Sequence, residues 1–379
     1  MVQLSSSKDN MIYFDYSATT PIHPEVLETY AYYEREFFAN ANSSHALGIK
    51  AQAVIDEQIQ KIAKILHVKP QEVIITSSAV ESNNTVLKGV ALKYPNKKHI
   101  ITSSIEHASV IGALSFLESL GYELDFVDLD ENGRFDLNHL EHLLREDTLI
   151  VSLIAVDSET GIRQPIEEVG KLCHKHHVLF HSDITQAVGK SNFDLSEVDY
   201  ASFSGHKIYG PKGIGGLIKK ENAGLIPLLH GGHSITTYRA STPQTALVCA
   251  LAKAIEISSN TYQERFEYVS KLKEYLIEKV EKMNRIVINS NHYSIPFIVN
   301  MSILDTRPEE ILEVFSQNDI YLSSKSACSG QEEFSNSVYA ITKDEQRAKS
   351  SYRISLSHLS TYEEIDALVR VIERIVYES

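Results

Sequence analysis

The sequence predicts an α/β protein: a mostly parallel central sheet with helices on both faces, plus a smaller α+β domain at the C-terminal end. Three observations predict it. Between about Gln71 and Leu217, short β-rich runs alternate with helix-period segments, the pattern of strands joined by crossover helices. From Gln263 to Met283, the residues Phe266, Val269, Leu272, Leu276 and Val280 recur three or four positions apart, an amphipathic helix leading into a second unit. A chain of 379 residues also exceeds what one hydrophobic core usually serves.

Taken in order, the strands of the large domain are Val73 to Thr76, His99 to Thr102, Glu123 to Val127, Leu149 to Ile154 and Val178 to His181, and a further apolar strand leads up to Ser204. Polar candidates follow the strand ends: Ala79 to Asn84, Glu106-His107, Asp157 to Gly161 and Asp183 to Gln186. In an open α/β sheet that edge is where ligands bind. Beyond the amphipathic helix, Ile295 to Met301 and Tyr352 to Leu356 read as strands, Pro308 to Ser316 and Tyr362 to Tyr377 as helices. The expected division is 16–258 for the large domain, and 1–15 with 259–379 for the small one. No internal repeat or low-complexity tract interrupts it.

Bulk numbers exclude several classes of function. A formal net charge of −14 is the wrong sign for direct binding to nucleic acid or an anionic membrane. Met1 to Asn10 is polar, and no apolar run is long enough to cross a bilayer, so a cytoplasmic protein is expected. The three cysteines, Cys173, Cys249 and Cys328, are too few and too scattered for a disulfide framework or a metal cage. No metal site is expected.

The chemistry concentrates in Ser204-Gly205-His206-Lys207-Ile208-Tyr209-Gly210-Pro211-Lys212-Gly213, a lysine among small residues just past a strand. A Schiff-base lysine needs a confined loop, because its amine must be unprotonated to attack an aldehyde. Alone, such a lysine is most often a solvated surface group. Coincidence changes the odds: Asp183 closes a buried strand where an acid can pair with a pyridinium nitrogen, and His107 follows another strand where an imidazole can lie over the ring. Gln186 could donate to a ring hydroxyl, and Ser204 and His206 could hold a phosphate. Together they point to pyridoxal phosphate. Cys249 lies among apolar neighbours, as a core cysteine does, whereas Cys328 lies in the small, polar run Ser323 to Gln331. Composition alone leaves a reactive and a structural Cys328 equally open.

From Tyr13 to about the C-terminus the chain resembles the cysteine desulfurases, pyridoxal-phosphate enzymes of the class-V aminotransferase family. The motifs that carry the likeness are Phe14-Asp15-Tyr16-Ser17-Ala18-Thr19-Thr20-Pro21, Asn40 to Gly48, Ala79-Val80-Glu81-Ser82-Asn83-Asn84, Glu106-His107, Asp183-Ile184-Thr185-Gln186, Ser204 to Gly213, Arg239-Ala240-Ser241-Thr242, Ser326-Ala327-Cys328 and Arg353-Ile354-Ser355-Leu356. The resemblance implies fold type I of the pyridoxal-phosphate transferases. It implies Lys207 as the Schiff-base lysine, His107 for ring stacking and proton transfer, and Asp183 at the pyridine nitrogen. Gln186 would contact the ring hydroxyl. Ala79, Val80, Ser204 and His206 would hold the phosphate, with Thr242 reaching in from the second subunit of a homodimer. Asn40 and Arg353 would bind the substrate carboxylate, and Cys328, on a loop at about 323–337, would accept sulfur.

The implied reaction takes L-cysteine to L-alanine and leaves a persulfide, which passes to an acceptor protein. A tRNA 4-thiouridine sulfurtransferase is the expected acceptor, an iron–sulfur scaffold the second. A selenocysteine lyase, a class-V aminotransferase and a degenerate, non-enzymic scaffold are the alternatives. Three departures from the family pattern stand out. Val80 replaces a threonine at the phosphate, Asp157 and Ser158 replace two asparagines so that Ser158, expected among the cofactor-binding residues, is shorter than the amide it replaces, and Glu332 to Ser337 replace the usual Leu-Glu-Pro-Ser continuation.

Overall fold

Strands that are apolar along their whole length are buried on both faces, and a sheet sandwiched between helix layers is what buries them. In the computed structural model, which describes residues 11–232, 234–324 and 334–377, that sheet has seven strands. The chain runs β1 (Ile12–Tyr13), α1 (Pro24–Glu36), α2 (Ala46–Ile65), β2 (Val73–Thr76), α3 (Ala79–Lys93), β3 (His99–Thr102), α4 (Ala108–Glu118), β4 (Glu123–Phe126), α5 (Leu137–Leu143) and β5 (Thr148–Ser152). It continues through α6 (Ile166–Lys175), β6 (Leu179–Asp183), β7 (Tyr200–Ser204), β8 (Gly215–Lys219), α7 (Thr245–Asn260) and α8 (Tyr262–Val280). Last come β9 (Ile286–Ile288), β10 (Ile298–Ile303), α9 (Pro308–Gln317), β11 (Ile320–Tyr321), α10 (Asn336–Thr342), α11 (Glu345–Lys349), β12 (Ser351–Ser355) and α12 (Tyr362–Tyr377).

The large sheet has the order β2-β8-β7-β6-β5-β3-β4. Only β8 runs against the rest, pairing antiparallel with β2 and β7. Strand order reverses between β3 and β5, so the loops after those strands diverge and leave a crevice at their C-terminal ends. Every strand of this sheet except β4 is wholly or almost wholly buried.

A second, antiparallel sheet has the order β12-β10-β9, and β1 pairs in parallel with β11. Phe14 O accepts Ser355 N–H at 2.7 Å, so the first described residues lie against the C-terminal segment. Buried Val269, Leu272, Leu276 and Val280 on α8 and Ile365, Leu368, Ile372 and Ile375 on α12 form matched stripes, each side chain contributing roughly 1.5–3 kcal/mol on burial. The strand expected from Ile295 begins at Ile298, because Pro296 has no N–H for the ladder and the chain turns there. Among the described residues, no helix is long and apolar enough to cross a membrane.

Candidate active site

The site is built on the C-terminal edge of the seven-stranded sheet. Asp183 is the last residue of β6, buried, with Oδ1 accepting the Thr185 N–H at 2.9 Å and Oδ2 accepting Asn83 Nδ2 at 2.9 Å. One bond is to the turn that follows the strand and the other comes from α3, so the carboxylate cannot rotate without breaking both.

After β3 the chain turns through Glu106 and His107 into α4, which His107 caps by accepting the Ser109 N–H at Nδ1, 3.1 Å away. Ser109 Oγ lies 2.8 Å from the same nitrogen. Burial holds the imidazole below its usual pKa, and Lys207 works in the same direction against the pull of Asp183. The Glu106 carboxyl ties the end of β3 to the segment after β5: Oε1 accepts Ser103 Oγ at 2.6 Å and Ile154 N–H at 2.8 Å, while Oε2 is buried with no partner. Burial pushes its pKa up to about 8, so it carries a proton at neutral pH.

Lys207 closes the 3₁₀ turn Gly205–Lys207 directly after β7. Its Nζ donates to Ser17 O at 2.5 Å and Ala18 O at 2.8 Å, carbonyls of the Asp15–Thr20 turn. The loop is held tightly. Tyr209 has φ of 64°, and a Cβ on Gly210 would lie 2.7 Å from Gly205 O, which requires glycine there. Thr20 donates to His206 O and accepts Tyr209 N–H, lacing the two turns together. His206 Nδ1 is 3.1 Å from Thr19 Oγ1, and burial pushes its pKa down to about 4. Gln186 Nε2 donates to Ser17 O at 2.9 Å, and its Oε1 accepts Lys190 Nζ at 2.8 Å. Lys190 is buried, which pushes its pKa down to about 7.

Ser204, at the end of β7, accepts the Ala79 N–H at 2.7 Å. Ala79 opens α3, whose N-cap Ser78 accepts Glu81 N–H at 3.3 Å. A fifteen-residue helix starting beside a serine hydroxyl offers the positive end of its dipole to an anion, although the Ala79 and Glu81 N–H groups of its first turn are already held by Ser204 and Ser78.

Arg353 enters from β12 and is almost wholly buried. Nη2 donates to Asp15 Oδ1 at 2.8 Å and Nη1 to Ser158 O at 3.1 Å, while buried Nε has no partner. Its backbone N–H donates to Ser323 O at 2.6 Å, which sets β12 against the segment leading to Lys325.

The structure thus gathers Lys207, Asp183, His107, Gln186, Ser204, His206, Ala79 and Arg353 about one edge. It leaves others apart. Val80, on the first turn of α3, is 48% exposed. Thr242 is exposed on the loop before α7. Asn40 is exposed, its Oδ1 accepting the Asn42 N–H at 2.9 Å, and Gly48 sits where a Cβ would lie 2.3 Å from Ser43 O, so this motif builds its own turn. Ser158 reaches Arg353 through its carbonyl. Cys328 lies outside the described residues. Cys173 and Cys249 are buried, which pushes the Cys249 thiol up to about 12 and Cys173 higher still.

Sequence reasoning missed Ser109, Asp15 and Lys190 as parts of this edge, placed Asn83 there within the Ala79 to Asn84 turn but gave it no role, and missed what Asp157 does. Asp157 Oδ1 accepts Ser337 Oγ at 2.8 Å, and Oδ2 accepts both Thr160 N–H and the Thr160 hydroxyl. Two residues on, Glu159 accepts the Ser335 hydroxyl. The usable signal was the pairing of two departures, Asp157-Ser158 and Ser335 to Ser337, which face each other in space.

These residues fit pyridoxal phosphate. The phosphate has the α3 N-terminus and Ser204, the ring nitrogen has an oriented buried carboxylate, and the aldehyde has an amine held by carbonyls. The orphaned Nε of Arg353 fits a substrate carboxylate.

Comparison with known proteins agrees with the geometry. A family model described as aminotransferase class-V matches residues 12–368. A cysteine desulfurase IscS of Dictyoglomus turgidum is 36% identical over 371 residues, 96% of this chain and 94% of that protein. The human cysteine desulfurase is 37% identical over 369 residues, 94% of this chain and 80% of that one. Among solved structures, a NifS-like protein superposes with a TM-score of 0.91 at 34% identity, covering 97% of this chain and all of the other. A structure of SspA in complex with cysteine gives 0.81 at 33%, over 91% and 98% of the two chains.

Proposed function

Because this chain belongs to the class-V aminotransferase family, among its cysteine desulfurases, we propose that it converts L-cysteine to L-alanine and passes the sulfur, through a persulfide on Cys328, to an acceptor protein. The observation that carries this reading is the meeting of Lys207 Nζ, the oriented carboxylate of Asp183 and the Ala79–Ser204 anion cup on one sheet edge. Pyridoxal phosphate bound there supplies an aldehyde for the substrate nitrogen and a conjugated ring that draws electrons from its Cα.

The chain's own residues do the rest. Arg353, its plane fixed by Asp15 and the Ser158 carbonyl, takes the substrate carboxylate at Nε and so orients the amino acid. Asp183 holds a proton at the ring nitrogen. Lys207 Nζ, close to the Ser17 and Ala18 carbonyls, is the base for the Cα proton. Gln186, with Lys190 on its Oε1, has its Nε2 hydrogens for Ser17 O and the ring hydroxyl. The thiolate of Cys328 attacks the substrate sulfur, the Cβ–S bond breaks with its electron pair left on the substrate carbon, one proton is taken up at Cβ, Lys207 returns the proton to Cα, and alanine leaves. Thr242, exposed on its loop, completes the phosphate cup of a second copy in a cytoplasmic homodimer.

Borohydride reduction of the cofactor-loaded protein followed by peptide mapping tests the reading. The pyridoxyl group is expected on Lys207, and a label on any other lysine overturns it. With radiolabelled cysteine, label is expected on Cys328 and then on a tRNA 4-thiouridine sulfurtransferase offered beside an iron–sulfur scaffold. Label on the scaffold alone rejects that acceptor.

A further inference from the structure

Asn83 lies on the first turns of α3, fully buried, with a side-chain nitrogen that has two hydrogens and two acceptors. Its Nδ2 is 2.9 Å from Asp183 Oδ2 and 2.9 Å from Ser109 Oγ. The opposite orientation of the amide would set Oδ1 against a carboxylate, oxygen on oxygen, so the nitrogen faces the acid. Oδ1 is consequently buried without a partner. Ser109 Oγ receives one amide hydrogen and keeps its own, which reaches His107 Nδ1 at 2.8 Å. The same Nδ1 accepts the Ser109 backbone N–H at 3.1 Å. A ring nitrogen that accepts two donors carries no hydrogen, so the imidazole proton is on Nε2.

Resting on the reading of the site given above, we propose that Asn83 and Ser109 are positioning residues that lock His107 as the neutral Nε2–H tautomer and join it to Asp183 in one hydrogen-bonded chain. The imidazole then works as a donor at Nε2. It takes no proton at Nδ1 unless Ser109 turns away from it. This narrows the proton-carrying role that the sequence suggests for His107 to a stacking and donating one. The charged and titratable groups around it are Asp183, which favours its protonation, Lys207, which opposes it, and Glu106 next in the chain, whose carboxyl is tied to Ser103 and Ile154. Burial adds to Lys207 and outweighs Asp183.

Nitrogen-15 NMR of histidine-labelled protein reads the tautomer directly, with His107 assigned from the His107→Gln variant. Spectra are taken with and without pyridoxal phosphate. In the wild type His107 is expected to show a protonated Nε2 and a bare Nδ1 across pH 6 to 8. Ser109→Ala is expected to raise its pKa by about one pH unit, the size of one lost hydrogen bond to the neutral form. Ser109→Thr restores the wild-type value, and Asn83→Leu shifts it in the same direction as Ser109→Ala but less, the near-visible absorbance of the bound cofactor moving over the same pH range. A proton on Nδ1 in the wild type, or an unchanged His107 pKa in Ser109→Ala, overturns the proposal. A protein that binds no pyridoxal phosphate refutes the reading of the site, and the relay is then judged on the cofactor-free spectra.

Discussion

The floor and the rim of this site are built by different means. On the floor, functional groups sit at strand ends and are held largely by backbone: Asp183 by Thr185 N–H, Glu106 by Ile154 N–H, Ser204 by Ala79 N–H, Lys207 by two carbonyls. On the rim, side chains must match one another: Ser337 meets Asp157 from 180 positions away, and Arg353 meets Asp15 from 338. A sheet dictates where its strand ends lie, so the floor tolerates little change of residue type. A rim contact survives change if both halves change together. Two of the three places where this chain leaves the desulfurase pattern, Asp157-Ser158 and the Glu332 to Ser337 stretch, meet through Asp157 and Ser337 as two halves of one contact.

If burial is what sets the floor apart, the largest effect should be at Glu106. Its carboxyl keeps a proton in the folded chain up to about pH 8, whereas in the unfolded chain it ionises near the usual carboxylate value of 4.5. Between those values the folded state binds the extra proton, so this group's stabilising contribution is fully present below pH 4.5 and is lost as pH rises to 8. The swing is on the order of a few kcal/mol. Glu106→Gln does not titrate. Wild type minus Glu106→Gln should therefore give a difference in thermal midpoint that falls steadily from pH 5 to 8 and then levels. A constant difference would mean the carboxyl is solvated and the floor no drier than the rim.

The rim's counterpart is Arg353→Lys. An ammonium keeps the charge, but one point donor cannot serve Asp15, the Ser158 carbonyl and a substrate carboxylate in three fixed directions. The KM for cysteine should rise about a hundredfold, the loss of a paired, charge-assisted contact, with a smaller fall in kcat. Cofactor content should stay at the wild-type level. Loss of the cofactor together with cysteine affinity would move Arg353 to the floor and remove the distinction.

The same division explains what could be read from the sequence. Apolar runs such as Val73 to Thr76 and His99 to Thr102 announce strands, and the polar residue just past each run is a site candidate on topology alone, which is how Asp183, His107 and Lys207 were legible. The α12 helix was legible to the residue, because its buried stripe repeats without interruption. The pairing of Asn83 with Ser109 was not. Each sits in a helix's first turns, where a polar residue ordinarily caps or meets solvent, and only the approach of α3 to α4 turns them into partners. Asp157 was hidden for another reason. Against the family's asparagine it reads as a lost amide, and its gain, a hydroxyl arriving from residue 337, is invisible until the chain is folded.

The smallest effect tests whether those departures are coupled. Asp157→Asn restores the residue that the resemblance leads one to expect, but exchanges a carboxylate acceptor for an amide opposite Ser337 Oγ at 2.8 Å, with both residues buried. Ser337→Ala removes the hydroxyl from the other side. Each variant alone should lose about 1 kcal/mol in urea unfolding, since a hydrogen bond to a charged group is weakened or left half made. The double variant should lose less than the sum by about 1 kcal/mol, because the second change removes a partner already spoiled. Residues that do not interact add within roughly 0.3–0.5 kcal/mol. Additivity at that level would show that the departures were acquired independently of their contact, and the rim would then have to be explained as the floor is, one position at a time.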